Sequence, residues 1–359
     1  MTQIELQSRR NDPVEDMPNP RGSLERIPLA RWQEFVNTQP ERTIFHHARW
    51  LSLISKQYKF PAHIYAWVKA GEVMAGLPFL GTSTLRRQRK LVSLPFTDNL
   101  RVLGSDAESL LALRDGLKAT NFSSYYCVVN KTDQPLGFSC TPSGIVRHEL
   151  DLTRSMSEIE RGYARSLKSN LRKGQKANLQ FSVSQDAAAL DTFYQIHVKT
   201  RHRLGIPVQP RSFFNRLYRE LIATGLGFVA TVSHQGDPVS VGVFLVYGKT
   251  MVFKYAASEL AALHLRPNDF LVGNAICDAV DRSLDTFDFG TSREVETGLR
   301  RFKRKWGATE YPLFNDCVVG NVAINRSDSL AMTFARATIR HTPSIVCRTA
   351  GKILYRYNT

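Results

Sequence analysis

The sequence predicts an α/β protein made of two tandem copies of one unit, each a mixed, mostly antiparallel sheet flanked by helices. Two hairpins carry the duplication. Residues 63–68, a turn at Lys69-Ala70-Gly71 and residues 73–80 read as strand, glycine turn, strand. Residues 227–232, a turn at Gln235-Gly236-Asp237 and residues 239–247 read the same way. With slips of one residue, Ala66 and Val68 fall opposite Ala230 and Val232, Gly76 opposite Gly242, and Phe79-Leu80 opposite Phe244-Leu245. A third strand at 251–256 follows the second hairpin too closely for a crossover helix, so this part of the sheet is expected to be antiparallel.

The other elements follow in chain order. The N-terminal stretch is polar and proline-rich and lacks the apolar core of a signal peptide, so 1–25 is expected to be a disordered leader. Residues 29–36 and 47–54 carry helical spacing, 91–98 reads as a strand running into a loop, 107–119 as an amphipathic helix and 123–129 as an aromatic strand. These make a first domain at 26–150.

A long helix is expected at 155–177, with Arg161, Arg165, Lys168, Arg172 and Lys176 on a single face and Lys173 beside them. Such a face repels itself. Either a phosphate-bearing ligand or salt in solvent compensates it. The helix at 188–204 sets Leu190, Phe193, Tyr194 and His197 on an apolar stripe, so His197 reads as a packed core residue. Arg201 continues that stripe and needs a carboxylate or a ligand anion. Gly205-Ile206-Pro207 ends this helix and Pro210 opens the next. A helix at 267–282 feeds the strand 287–289.

That strand stops at Gly290, and the following loop leads to Gly298-Leu299-Arg300-Arg301-Phe302-Lys303-Arg304-Lys305-Trp306-Gly307. A strand that ends in glycine and then presents amides and cations can hold an anion or a carbonyl oxygen. Segments 311–319 and 322–324 read as a closing hairpin, completing a second domain at 151–324. The tail, 325–359, reads as two basic helices with Arg336, Arg340, Arg348, Lys352 and Arg356, suited to an anionic membrane surface or to packing on their own domain.

The formal net charge of +16 over 359 residues points to phosphate-bearing partners. Five scattered cysteines without a CxxC pair, and nine histidines without ligand spacing, predict no metal site and reduced thiols. No run of about 18 apolar residues spans a bilayer. Nucleophile elbow, Walker loop, dinucleotide fingerprint and zinc-protease motif are all missing. What remains is a set of cations and backbone donors. Acyl transfer to an amine asks for little more, because the amine brings its own lone pair and the enzyme positions it and stabilises the oxyanion.

The doubled unit, the basic helix, and the pair Asp288-Phe289-Gly290 with Gly298-Leu299-x-x-Phe302-Lys303-x-x-Trp306-Gly307 resemble the FemAB-like branch of the GNAT acyltransferase superfamily. The runs Leu94-Pro95-Phe96-Thr97-Asp98, Arg203-Leu204-Gly205-Ile206-Pro207 and Leu354-Tyr355-Arg356 fit the same branch. The resemblance implies two GNAT-like folds with a cleft between them, and transfer of an acyl or aminoacyl group to form an amide on a cell-envelope precursor or an exopolysaccharide sugar. It implies no bound cofactor, with acyl-CoA or aminoacyl-tRNA as co-substrate. By the motif, Lys303 stabilises charge on the transferring ester and Phe302 packs beside it. Substrate-binding roles then fall on Asp98, Arg165, Lys168, Arg172, Lys173, Arg201 and, at the mouth of the strand, Arg293.

Two features depart from the pattern. Ordinary GNAT enzymes carry a glycine-rich pyrophosphate loop before the helix that here begins at Pro267, where this chain has Leu265-Arg266-Pro267-Asn268-Asp269. The coiled-coil arm of some peptidoglycan members is also missing. The expected location is the cytoplasm, with peripheral contact to the inner face of the membrane. The competing readings are a non-catalytic basic nucleic-acid-binding protein and a membrane-recruited scaffold.

Overall fold

The computed structural model describes residues 21–83, 89–98, 100–120, 125–130 and 140–317. The segments expected as the start of the leader, as the second arm of a closing hairpin (322–324) and as the basic tail (325–359) lie outside the described residues.

Strands β1 (Ser23–Arg26), β2 (Ala62–Lys69), β3 (Glu72–Ser83), β4 (Arg89–Val92), β5 (Leu103–Gly104) and β6 (Tyr125–Asn130) precede β7 (Cys140–Asp151). After it come β8 (Gln180–Ser184), β9 (Gly227–His234), β10 (Asp237–Tyr247), β11 (Thr250–Ser258), β12 (Thr286–Arg293) and β13 (Thr309–Cys317). Helices α1 (Leu29–Thr38), α2 (Ala48–Tyr58) and α3 (Ala107–Lys118) belong to the first half. Helices α4 (Met156–Arg161), α5 (Arg165–Lys176), α6 (Ala187–Leu204), α7 (Arg211–Glu220), α8 (Pro267–Asp281) and α9 (Thr297–Arg304) belong to the second.

The strands join one sheet in the order β1-β2-β3-β4-β6-β13-β7-β12-β11-β10-β9-β8, with β5 paired to β3. The order is a repeat read from both ends. In the hairpin β2–β3 Ala66 pairs with Gly76, and in β9–β10 Ala230 pairs with Gly242, so the residues aligned by sequence occupy equivalent sheet positions. Each hairpin is followed by a strand with a parallel neighbour, β4 beside β6 and β11 beside β12, reached through α3 and α8. At the centre the halves exchange strands. β7 pairs with β12, and β13 pairs with both β6 and β7. Strand β7 is broken in sequence pattern by Pro142 and by Gly144 at φ +71°. Strand β1 starts inside the segment expected as leader, because Ser23–Arg26 pair with β2.

One apolar core runs from Trp32, Phe45 and Trp50 of the first half to Phe193, Phe213 and Phe214 of the second. Side chains of this size each contribute roughly 1.5–3 kcal/mol on burial, so the halves are welded together. A second cluster around Phe228, Phe244, Phe287 and Trp306 lies between α8 and the sheet.

The helix expected at 155–177 is two helices. The N–H of Ala164 donates to the Lys305 carbonyl (2.9 Å), and the Tyr163 ring meets Trp306 edge-on at 5.2 Å. Tertiary contacts thus break a periodicity that runs on unbroken in the sequence. Arg161 ends α4 and pairs with Glu158 at 3.7 Å, while Arg165, Lys168, Arg172 and Lys176 stay on the exposed side of α5.

Candidate active site

Strands β11 and β12 run parallel and paired only from Thr250 to Val252 against Thr286 to Asp288. Beyond that point both continue, to Ser258 and Arg293, without pairing with each other. On its other side β12 bulges. Asp288 faces Glu149 and Thr291 faces Arg147, so two residues, Phe289 and Gly290, stand against His148 alone. Gly290 takes φ +68°, a conformation that favours glycine, and its N–H is capped by the Asp288 carboxylate at 2.7 Å.

The parting strands open a cleft of about 520 Å³. One wall is β11 from Phe253 to Ser258, another is Phe289, Gly290 and Thr291 with Leu299, Phe302 and Lys303, and the end of α6 brings Arg201 and Arg203. Four cations, Arg201, Arg203, Lys254 and Lys303, and one carboxylate, Asp98, line it. Such a cleft favours an anionic substrate.

Lys303 is 5% exposed. Its Nζ donates to the carbonyls of Gly290 (3.0 Å) and Thr291 (2.8 Å), which leaves one N–H of the ammonium for the cleft. Burial pushes its pKa down from 10.5 to about 8, against the pull of Asp98, Asp288 and Glu296. Beneath it, His148 Nε2 lies 3.0 Å from Glu310 Oε2, and Glu310 also accepts from Arg300 Nε at 3.1 Å. Burial first, and the Lys303 charge second, lower the His148 pKa. Burial pushes the Asp288 carboxyl up to about 7, with the charge of Arg147 opposing.

Asp98 enters from the first half. Lys254 Nζ donates to its Oδ2 at 2.6 Å and Thr291 Oγ1 to its Oδ1 at 3.3 Å. Arg201, for which a carboxylate or a ligand anion was expected, donates from Nε and Nη2 to the Pro207 carbonyl (3.2 and 3.1 Å), so a backbone oxygen is one of its partners.

The structure brings Lys303, Phe302, Asp98 and Arg201 to one cleft. Arg165, Lys168, Arg172 and Lys173 sit on α5, outside the cleft lining, and Arg293 ends β12 beyond it. Tyr255 and Lys254 are lining residues that sequence reasoning passed over, and Arg203, noted only as part of a run fitting the family, lines the cleft as well. A signal existed for Lys254, the one cation inside the apolar run 251–257.

The family described as acetyltransferase (GNAT) domain matches residues 161–304. No curated protein sequence matches the chain. The crystal structure of FemX is similar in fold, with TM-score 0.66 and 16% identity over 83% of this chain and 98% of that one. A C-terminal domain described as that of a lysylphosphatidylglycerol synthetase from Agrobacterium fabrum follows at TM-score 0.57 and 14% identity, over 87% of this chain and 95% of that one. L-PGS from Bacillus licheniformis follows at 0.55 and 14%, over 89% and 99%. At these identities the likeness is one of fold.

Proposed function

We propose that the chain, which matches the acetyltransferase (GNAT) domain over residues 161–304 and is similar in fold to FemX, is an acyltransferase that forms an amide on a phosphate-bearing cell-envelope precursor or exopolysaccharide sugar. The observation that carries this reading is the buried Lys303, held by two carbonyls in a cleft where one of its N–H groups is left over.

The acceptor amine attacks the ester or thioester carbonyl of the donor. As the C–N bond forms, negative charge grows on the carbonyl oxygen, and the remaining Lys303 N–H donates to it. Collapse breaks the bond to the leaving oxygen or sulfur, which takes up the proton the amine gives off. Phe302 walls the cleft beside Lys303. Arg201 and Arg203 receive the phosphate or carboxylate of the bound substrate.

The first turn of α8 supports a donor other than conventionally held coenzyme A. Pro267 lacks an N–H, Arg266 sits at φ +63°, and the buried Asp269 is taken up by Asn170 (2.7 Å) and Lys305. A carboxylate there opposes an incoming pyrophosphate. We therefore favour an aminoacyl ester such as aminoacyl-tRNA over acyl-CoA, with the α5 cations meeting its phosphates.

Among the described residues no helix is long and apolar enough to cross a membrane. We place the reaction on the cytoplasmic side, with peripheral contact to anionic lipid. The test is to supply the protein with aminoacyl-tRNA or acyl-CoA and a nucleotide-linked peptidoglycan precursor, and to search for a new amide by mass spectrometry. Product from the aminoacyl donor is expected. Product from acyl-CoA alone would overturn the donor assignment, and none from either would overturn the peptidoglycan precursor as acceptor.

A further inference from the structure

We propose that Lys254 is a positioning residue: it pins the first-half segment 96–98 across the gap between β11 and β12 and so fixes where the Lys303 ammonium stands. The inference rests on the reading of Lys303 as the group that meets the reacting carbonyl.

Lys254 is a costly residue to bury. Its side chain is 5% exposed, in the middle of β11. Nζ donates to Asp98 Oδ2 at 2.6 Å and to the Phe96 carbonyl at 3.1 Å. It also lies 4.9 and 5.3 Å from the ring centres of Phe45 and Trp50. An ammonium saturated by a carboxylate, a carbonyl and two rings is built as a support.

The segment it grips does not hold its shape unaided. Leu94 and Phe96 both stand at positive φ, +50° and +64°, where residues with a Cβ are disfavoured. Thr97 is held as well, through its hydroxyl, which accepts from Trp50 Nε1 at 2.9 Å.

From Asp98 the contacts lead on to the site. Its second oxygen accepts from Thr291 Oγ1 at 3.3 Å, and its carboxyl group lies where a side chain at position 290 would touch it, at 3.7 Å. The carbonyls of Gly290 and Thr291 are the two that Lys303 donates to. Three steps therefore join Lys254 to Lys303. They cross the place where β11 and β12 have parted, so no backbone ladder between these strands fixes their separation. The bridge does so with side chains, and one half of the duplicated protein supplies a part to the site of the other.

The experiment compares the full chain with Lys254→Met, Lys254→Arg and Thr291→Val. Two readouts need no substrate: hydrogen exchange by residue, and the rate at which acetic anhydride labels Lys303, mapped by mass spectrometry. Lys254→Met is expected to speed exchange at 96–98 and 289–292 and to label Lys303 about tenfold faster, as local opening becomes easier. Lys254→Arg, which keeps charge and donors, should restore both. Thr291→Val, which leaves Lys254 untouched and keeps the proposal testable if the methionine variant fails to fold, should release Lys303 while 96–98 stay protected. The proposal is overturned if labelling of Lys303 is unchanged in Lys254→Met or Thr291→Val, or if exchange rises uniformly over the sheet. Should labelling respond while turnover proves independent of Lys303, the strut stands and the catalytic reading fails.

Discussion

The ammonium of Lys303 lies 2.8 Å from the carbonyl oxygen of Thr291, a residue whose hydroxyl in turn donates to Asp98 from the other half of the chain. Backbone oxygens orient the lysine without neutralising it. An acid in their place would hold the ammonium in an ion pair and leave less charge for a developing oxyanion.

The pH dependence of turnover follows from this. With its pKa pushed from 10.5 down to about 8, Lys303 is mostly protonated at neutral pH and loses its proton as pH rises through about 8. Turnover should fall on that limb. Stability should move the opposite way. The unfolded chain binds more protons than the folded one between about 8 and 10.5, so this lysine costs the fold about 3 kcal/mol below that window, and the penalty fades as pH rises across it. Rate profiles and urea midpoints between pH 7 and 10 check both signs.

Asp288 gives a second pH effect. Burial lifts its folded pKa to about 7, above the ordinary 3.8, so the folded state holds the proton more tightly. Its contribution to stability is fully present below about 4 and is lost as pH rises through about 7. Asp288→Asn keeps an oxygen for the Gly290 N–H and removes the charge. The variant should exceed the parent in stability at pH 8 by roughly 2–4 kcal/mol, and the two should converge toward pH 4, as urea titrations would show.

The α5 cations are expected to bind rather than to stabilise. Replacing Arg165, Lys168, Arg172 and Lys173 with glutamine should leave the melting temperature within a few degrees, since all four side chains are exposed or at the surface of α5. Affinity for tRNA should drop, and the slope of log K against log salt should lessen by up to about 3. An unchanged slope would mean that this face is merely solvated.

The repeat was legible because each hairpin turns at glycine and keeps a small pair, Ala66 with Gly76 and Ala230 with Gly242, at the same rung. Lys303 and Phe302 could be singled out because their motif is local, ten residues from Gly298 to Gly307, and both side chains line the cleft. Strand β7 was hidden by Pro142 and Gly144, which interrupt its alternation. The break between α4 and α5 was hidden because its cause, Trp306 and the Lys305 carbonyl, lies far along the chain. Lys254 stands out in the sequence as the one cation of the run 251–257, but its partner was hidden for the same reason. Asp98 stands 156 residues away, so the sequence does not show what the lysine grips.

The most direct test of the catalytic reading is single-turnover transfer by Lys303→Met beside the parent protein, with circular dichroism to confirm the fold. Removing one donor to an oxyanion should slow the chemical step by about 100- to 1,000-fold while substrate affinity changes little. A folded variant that transfers at the parent rate would contradict the account.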